Sequence, residues 1–438
     1  MRRTLASIAL ISMLTGWLGA APVNPLDQIG YDQPNAAQAV HRTVGHAELF
    51  AASASNAGPA ALDAVGEGGL PALPSLANLP REQRKYLLSL QDASGAIAQT
   101  PSQQQVIPYF SNMAALAMLS FRDGRVAVRQ YLEWYVTHIN ERDRFGLKGT
   151  IYDYVRQGDT WVATEDYDSA DSYAATFLSL VAAYGAASGD LSFARQRQAE
   201  LQAVADVLLA LQDKDGLMWA KPRYYVKFLM DNAENYRGLL DGAELMRQLG
   251  QVVLAERYQV AAEQVAAGIE RRLWIPEGQA YAWALYGRWW ARQPRERWYP
   301  DTVAQLFPIV FGVVPPDGER AQTLYGYLNQ KYPNWVAGEF DDRFPWAILA
   351  LVAATMQDKE RAVAYLDNVN QQVFAPSQGA TYPWYAGESA FLLKAWRFLW
   401  PEMPVWANVD IDDEDAQAES APPDEQEDPV AASPGKQR

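Results

Sequence analysis

Two pairs of acidic residues stand three positions apart beside apolar runs. Asp168 and Asp171 precede 174–180, and Asp231 and Glu234 follow Phe228-Leu229-Met230. A spacing of three places both members on one helical face. A carboxylate entering an apolar segment is costly unless it meets a cleft or a partner, and either one shifts its pKa. Carboxyls held in this way suit general acid/base chemistry, one protonated and the other ionised. The plainer reading is capping, because Asp and Ser at helix starts satisfy orphan N–H groups and complement the dipole. Asp168 and Asp301 read as caps, and Glu165 and Asp166 as loop surface. Asp171, Asp231 and Glu234 therefore lead the catalytic candidates. Glu339 and Asp342, in the cluster before Pro345, and Glu388, in Trp384-Tyr385-Ala386-Gly387-Glu388, complete the set.

Aromatic residues are the second signal. Trp161, Trp219, Trp283, Trp289, Trp290, Trp298, Trp335 and Trp384 all fall between helical stretches. Such rings offer a flat apolar face and a polar N–H, although loop packing accounts for about half of any such set. The predicted binding residues are Tyr109, Asn112, Trp161, Tyr173, Trp219, Asn235, Trp335, Arg343, Trp384 and Tyr385. Lys221 and Arg223, beside Tyr224 and Tyr225, either contact an acidic ligand or balance the nearby carboxylates.

These residues sit on two alternating kinds of helix. One kind is amphipathic, as in 199–212, where Leu201, Val204, Leu208 and Leu211 recur at helical spacing. The other is apolar almost all round, as in 112–119, 174–183 and 347–355, which requires burial on every face. Outer helices are expected over 81–91, 126–139, 193–212, 252–273, 318–331 and 359–372. Inner helices are expected over 108–120, 168–187, 231–248, 300–313, 345–356 and 385–400. Links from inner to outer helices are short and turn-like, whereas most outer-to-inner links are long and aromatic. The long loops therefore lie together at the N-termini of the inner helices. A solenoid would show a fixed period and short links on both sides. The expected fold is all-α, an (α/α)6 barrel of six helical hairpins.

At Leu88-Ser89-Leu90-Gln91-Asp92-x-Ser94-Gly95, Asp168-Ser169-Ala170-Asp171-Ser172-Tyr173 and Asp231-Asn232-Ala233-Glu234-Asn235-Tyr236 the chain resembles the six-hairpin glycosidase superfamily, over about 83–400. The resemblance implies a glycan cleft at the loop face and cleavage by two carboxyl groups, and the tryptophans then suit sugar stacking. In relatives acting on unsaturated uronides, an aspartate at the start of the third inner helix is the acid and base, with another near the second. Asp231 and Asp171 match those places, but the histidines those relatives keep nearby are absent. Glu388 lies where some inverting relatives keep their base. The expectation is an exported glycosidase that inverts. The alternatives are a silent glycan-binding barrel in exopolysaccharide synthesis or export, and a polysaccharide lyase or unsaturated uronyl hydrolase.

Composition narrows the field. The 438 residues are 49% hydrophobic and 12% aromatic, enough for one large core. A net charge of -15 disfavours nucleic acid. There is no cysteine, and His41, His46 and His138 are the only histidines, so thiolate and histidine-centred chemistry are excluded and no metal or cofactor is expected. Arg2 and Arg3 followed by an apolar stretch and Gly19-Ala20-Ala21 read as a signal over 1–21, or as a membrane anchor if it is retained. The domains follow: this segment, a linker or loosely docked arm over 22–79, the barrel over 80–405, and a disordered acidic tail over 406–438. The expected product is a periplasmic or extracellular monomer that binds carbohydrate.

Overall fold

The computed structural model describes residue 76 and residues 78–292, 294, 297–374 and 383–401. The expected signal or anchor, most of the arm and the acidic tail lie outside the described residues. No helix among the described residues is long and apolar enough to cross a membrane.

Among the described residues, twelve helices alternate between an outer and an inner ring. The outer ones are α1 (Leu79–Ser89), α3 (Gly124–Thr137), α5 (Gln198–Leu211), α7 (Val252–Arg272), α9 (Glu319–Lys331) and α11 (Lys359–Val369). The inner ones are α2 (Pro108–Met118), α4 (Ala170–Ser188), α6 (Leu229–Gln248), α8 (Phe307–Val310), α10 (Ile348–Thr355) and α12 (Ala386–Leu399). Each inner helix packs on the next, and α12 packs back on α2, so the ring is closed. The expected (α/α)6 barrel is what forms. α4 shows why: its residues from Ala170 to Val181 are all buried, which only a position inside a second ring allows. It ends on Gly189 in the left-handed region, whose N–H closes on Gly185 O.

The segment Leu-Gln-Asp-x-x-Gly after α1 recurs after α5, and both copies do the same work. Gln91 Nε2 donates to Gly95 O and to Ala127 O of α3, and Gln212 Nε2 donates to Gly216 O and to Ala261 O of α7. Gly95 and Gly216 both have positive φ. A Cβ there would stand 2.7 Å from Gln130 O or 2.1 Å from Gln264 O, so only glycine lets each turn rest on the next outer helix.

The long links carry small antiparallel sheets that the sequence reading did not anticipate. β1 (Gln105–Val106) pairs with β2 (Tyr154–Gln157), and β2 with β3 (Thr160–Ala163). β4 (Val226–Phe228) pairs with β7 (Ala284–Tyr286), which pairs with β8 (Trp290–Arg292), while β5 (Trp274–Ile275) and β6 (Ala280–Tyr281) form a separate ribbon. Each larger sheet joins two consecutive outer-to-inner links, which fixes those links to the same end of the barrel.

Two inner helices are shorter than expected. The stretch 300–313 is broken into wide and tight turns before α8, because Pro308 supplies no N–H inside it and Tyr299 has extended backbone. The helix expected from 345 begins at Ile348, because Trp346 has positive φ. The outer stretch 193–212 is also split: Ser192–Gln196 forms a separate turn and Arg197 departs from helical φ/ψ.

Candidate active site

The mouth of the barrel divides into an acidic half, on α4 and α6, and an aromatic half, on α2, α8, α10 and α12. Asp171 in the first turn of α4 is completely buried. Its Oδ1 accepts from Ser169 Oγ (2.8 Å) and Ser172 N (2.9 Å), and its Oδ2 from Asn235 Nδ2 (2.7 Å) on α6. Asp231, in the first turn of α6 and partly exposed, contacts the same Ser169 hydroxyl through Oδ2 at 2.7 Å. Burial lifts both carboxyls, and Asp231 is raised further by the charges of Asp171 and Glu234.

One hydroxyl carries one proton. Ser169 Oγ can donate to one carboxylate, and to bond the other it must accept from a protonated carboxyl. Asp171 already takes donors on both oxygens, which favours its charged form. The proton therefore rests on Asp231, which donates to Ser169, which in turn donates to Asp171. Glu234 accepts from Tyr109 OH at 2.5 Å and is pushed up to about 8 by burial.

Two further acids complete this half. Asp168 is raised to about 6 by burial, against the pull of Lys221, and Asp153 to about 8 by burial while it accepts from Tyr173 OH (2.9 Å). The reading of Asp168 as a cap is not what the structure shows, since the N-cap of α4 is Ser169 and no side chain bonds there. Asp301 is buried and held by Arg297 through both oxygens, a structural ion pair.

The aromatic half is a belt of rings. Tyr109 meets Phe110 edge-on (5.2 Å), Phe110 meets Tyr385 (4.9 Å), Tyr385 meets Phe344 (6.0 Å), Phe344 meets Trp346 (6.4 Å), and Trp346 stacks on Tyr299 (5.2 Å). Asp342 is set in this belt and partly exposed. It accepts from Arg343 N (2.6 Å) and Phe344 N (3.1 Å) on Oδ1 and from Trp346 Nε1 (3.0 Å) on Oδ2, which leaves one lone-pair site on Oδ2. Glu388 is buried, raised to about 7 by that burial, and accepts from Ala347 N (2.5 Å) at the start of α10. The phenol of Tyr299 is raised by burial and then by the charges of Asp231, Asp168 and Asp342, so one ring lies among carboxyls of both halves.

Asp171, Asp231, Glu234, Asp342, Glu388, Tyr109, Tyr173, Asn235 and Tyr385 are thus gathered at the mouth. Others lie elsewhere. Glu339 is exposed beside α11 and accepts from Asn334 Nδ2 (2.7 Å), because the loop turns outward at Gly338. Trp335 and Trp384 are core residues whose N–H groups bond Asn329 and Ser389. Asn112 spends its amide on Tyr173 O, Thr176 and Tyr131 inside the barrel. Trp161 is tied to Asp92 in the β2–β3 hairpin, Trp219 lies over Lys227, and Arg343 is exposed over Phe344. Ser169, Asp153 and Tyr299 were missed. The motif containing Ser169 was a signal, but nothing in sequence marks a serine as the bridge between two helices.

No protein-family model and no curated protein matches the sequence. Solved structures do match the fold. A rhamnosidase from Klebsiella oxytoca with rhamnose bound is 15% identical over 76% of this chain and 66% of that one, with a TM-score of 0.54. A glycosidase variant in complex with glucose is 16% identical over 74% of this chain and 97% of that one, with a TM-score of 0.54. A GH78 family rhamnosidase of a Bacillus species is 14% identical over 74% of this chain, with a TM-score of 0.51. The chain spans just under two thirds of the Klebsiella enzyme and 34% of the Bacillus one. The barrel is therefore the six-hairpin fold of these glycosidases, with no specific family within it assigned.

Proposed function

We propose that the protein is an exported glycoside hydrolase that cleaves an oligo- or polysaccharide with inversion. Asp231 protonates the leaving oxygen, and Asp342 takes a proton from the attacking water through its open Oδ2 site. The observation that carries this reading is the single Ser169 hydroxyl between Asp171 and Asp231, which leaves a proton on the partly exposed member. Asp171 and Asp231 share one hydroxyl, so they are about as close as the ~5–5.5 Å of a retaining pair. Asp171 nevertheless makes a poor nucleophile, because it is fully buried and both its oxygens are occupied. The second catalytic carboxylate then comes from the aromatic half, as the wider spacing of an inverting pair requires. The rhamnose and glucose bound to the similar structures agree with a sugar ligand.

The test is a hydrolysis screen of the full chain on rhamnose-, glucose- and uronate-containing glycans, followed by Asp231→Asn on any glycan cleaved. Loss of the acid is expected to lower kcat about 10²–10⁴-fold. A variant within tenfold of wild type would remove Asp231 from the mechanism, and retention of glycans without cleavage would make the barrel a binding protein.

A further inference from the structure

Most of the loop tryptophans are buried or half-buried, but two are not. Trp289 is 82% exposed and Trp290 67%, at the tip of the β7–β8 hairpin, and Tyr225, just before β4, is 68% exposed. These are the exposed large aromatic side chains among the described residues. Their backbones are adjacent: Gly287 N donates to Tyr225 O (2.8 Å) and Tyr286 pairs with Trp290 in the hairpin register.

The tip is braced. The Arg272 guanidinium lies over the Trp289 ring at 6.0 Å, Arg288 bonds Asp213 at 3.2 and 3.3 Å, and Tyr225 meets Trp219 edge-on at 5.7 Å. It is also continuous with the mouth. Tyr224, the residue before Tyr225, is raised by burial, by Tyr286, and by the charges of Asp168 and Asp231. β4 runs from the platform directly into α6, whose first turn carries Asp231.

We infer that Tyr225, Trp289 and Trp290 form a second sugar-binding subsite, which holds a polysaccharide chain whose cleaved unit lies at the acid cluster. This rests on the glycosidase reading above. Fixed rings with polar groups at their edges match pyranose units, which present apolar C–H faces and hydroxyl rims. A second protein copy fits less well. Three such rings offer on the order of 400 Å², about half of the roughly 800 Å² per partner in a stable interface.

The test uses full-length Asp231→Asn protein in affinity electrophoresis through hydroxyethylcellulose, galactomannan, xylan and alginate. At least one polymer is expected to retard it. Trp289→Ala with Trp290→Ala is expected to weaken that retention about tenfold, while the double phenylalanine variant keeps most of it. On the wild-type background, the alanine pair raises KM for the retained polymer and leaves the rate on its trisaccharide unchanged. Retention insensitive to the alanine pair overturns the proposal, and so does retardation by none of the four polymers. So does flotation of the wild type, but not of the alanine pair, with phosphatidylglycerol–phosphatidylethanolamine vesicles. If the glycosidase reading alone fails, hydrolysis is absent while Trp-dependent retention persists; if the platform alone fails, hydrolysis persists without that dependence.

Discussion

The acidic and aromatic halves of the mouth handle carboxyl groups in opposite ways. In the acidic half the acids are crowded and buried or half-buried, so charge is expensive and protons are retained; Glu234 on α6 and Asp153 in the link before α4 are both lifted to about 8. In the aromatic half Asp342 is wrapped in the N–H groups of its own turn, an environment made for accepting. The two halves also differ in build. α4 and α6 run for 19 and 20 residues, whereas α8 and α10 have 4 and 8 residues and are entered through irregular turns. Regular helices bury the acids, and irregular turns expose the backbone donors that stabilise a carboxylate. A pair of carboxyls in two such environments can divide into an acid and a base.

The sharpest way to break this division is to remove the accepting side. Asp342→Asn is expected to lower kcat about 10²–10⁴-fold, and added azide is expected to restore turnover and give a glycosyl azide of inverted configuration. Full activity of the variant would place the base elsewhere, with Glu388 next in line. A smaller effect is expected at the bridge. Ser169→Ala removes the relay and should cost kcat about tenfold, at the low edge of acid/base contributions. It should also shift the alkaline limb of the kcat–pH profile, because Asp231 loses the partner that holds its proton. A merely structural serine would leave that limb in place.

The smallest effect is on stability. The Glu234 carboxyl rises from 4.5 to about 8 on folding, so between those values the folded protein holds a proton that the unfolded chain has released. Its contribution is complete below about pH 4.5 and is lost as pH rises towards 8. Urea unfolding at pH 5 and pH 8 should therefore show a lower midpoint at pH 8, and Glu234→Gln should reduce the difference. An unchanged difference would mean that Glu234 is ionised in the folded protein.

Sequence alone was enough for the ring. Apolar residues on every side of 174–183 and 347–355 demand an inner layer, and short inner-to-outer links with long returns demand one loop-rich face. Those are local patterns, and burial follows from them. It also picked out Asp171, an acid at the head of an apolar helix that needs a partner, and Asp231 and Glu234, one turn apart on one helical face after an apolar run. Tertiary structure decided which partner. Asp171 meets Asn235 from the next inner helix, and Asp231 meets a serine 62 positions away. Glu339 and Asp342, three residues apart in one acidic cluster, meet different partners, Asn334 at the surface and the Trp346 indole in the aromatic belt, a difference no local pattern carries. Likewise Trp335 and Trp290 are both loop tryptophans, and only packing separates a core ring from an exposed one. A residue's type fixes what chemistry it can offer, while the neighbours that tune its proton or uncover its face come from distant parts of the chain.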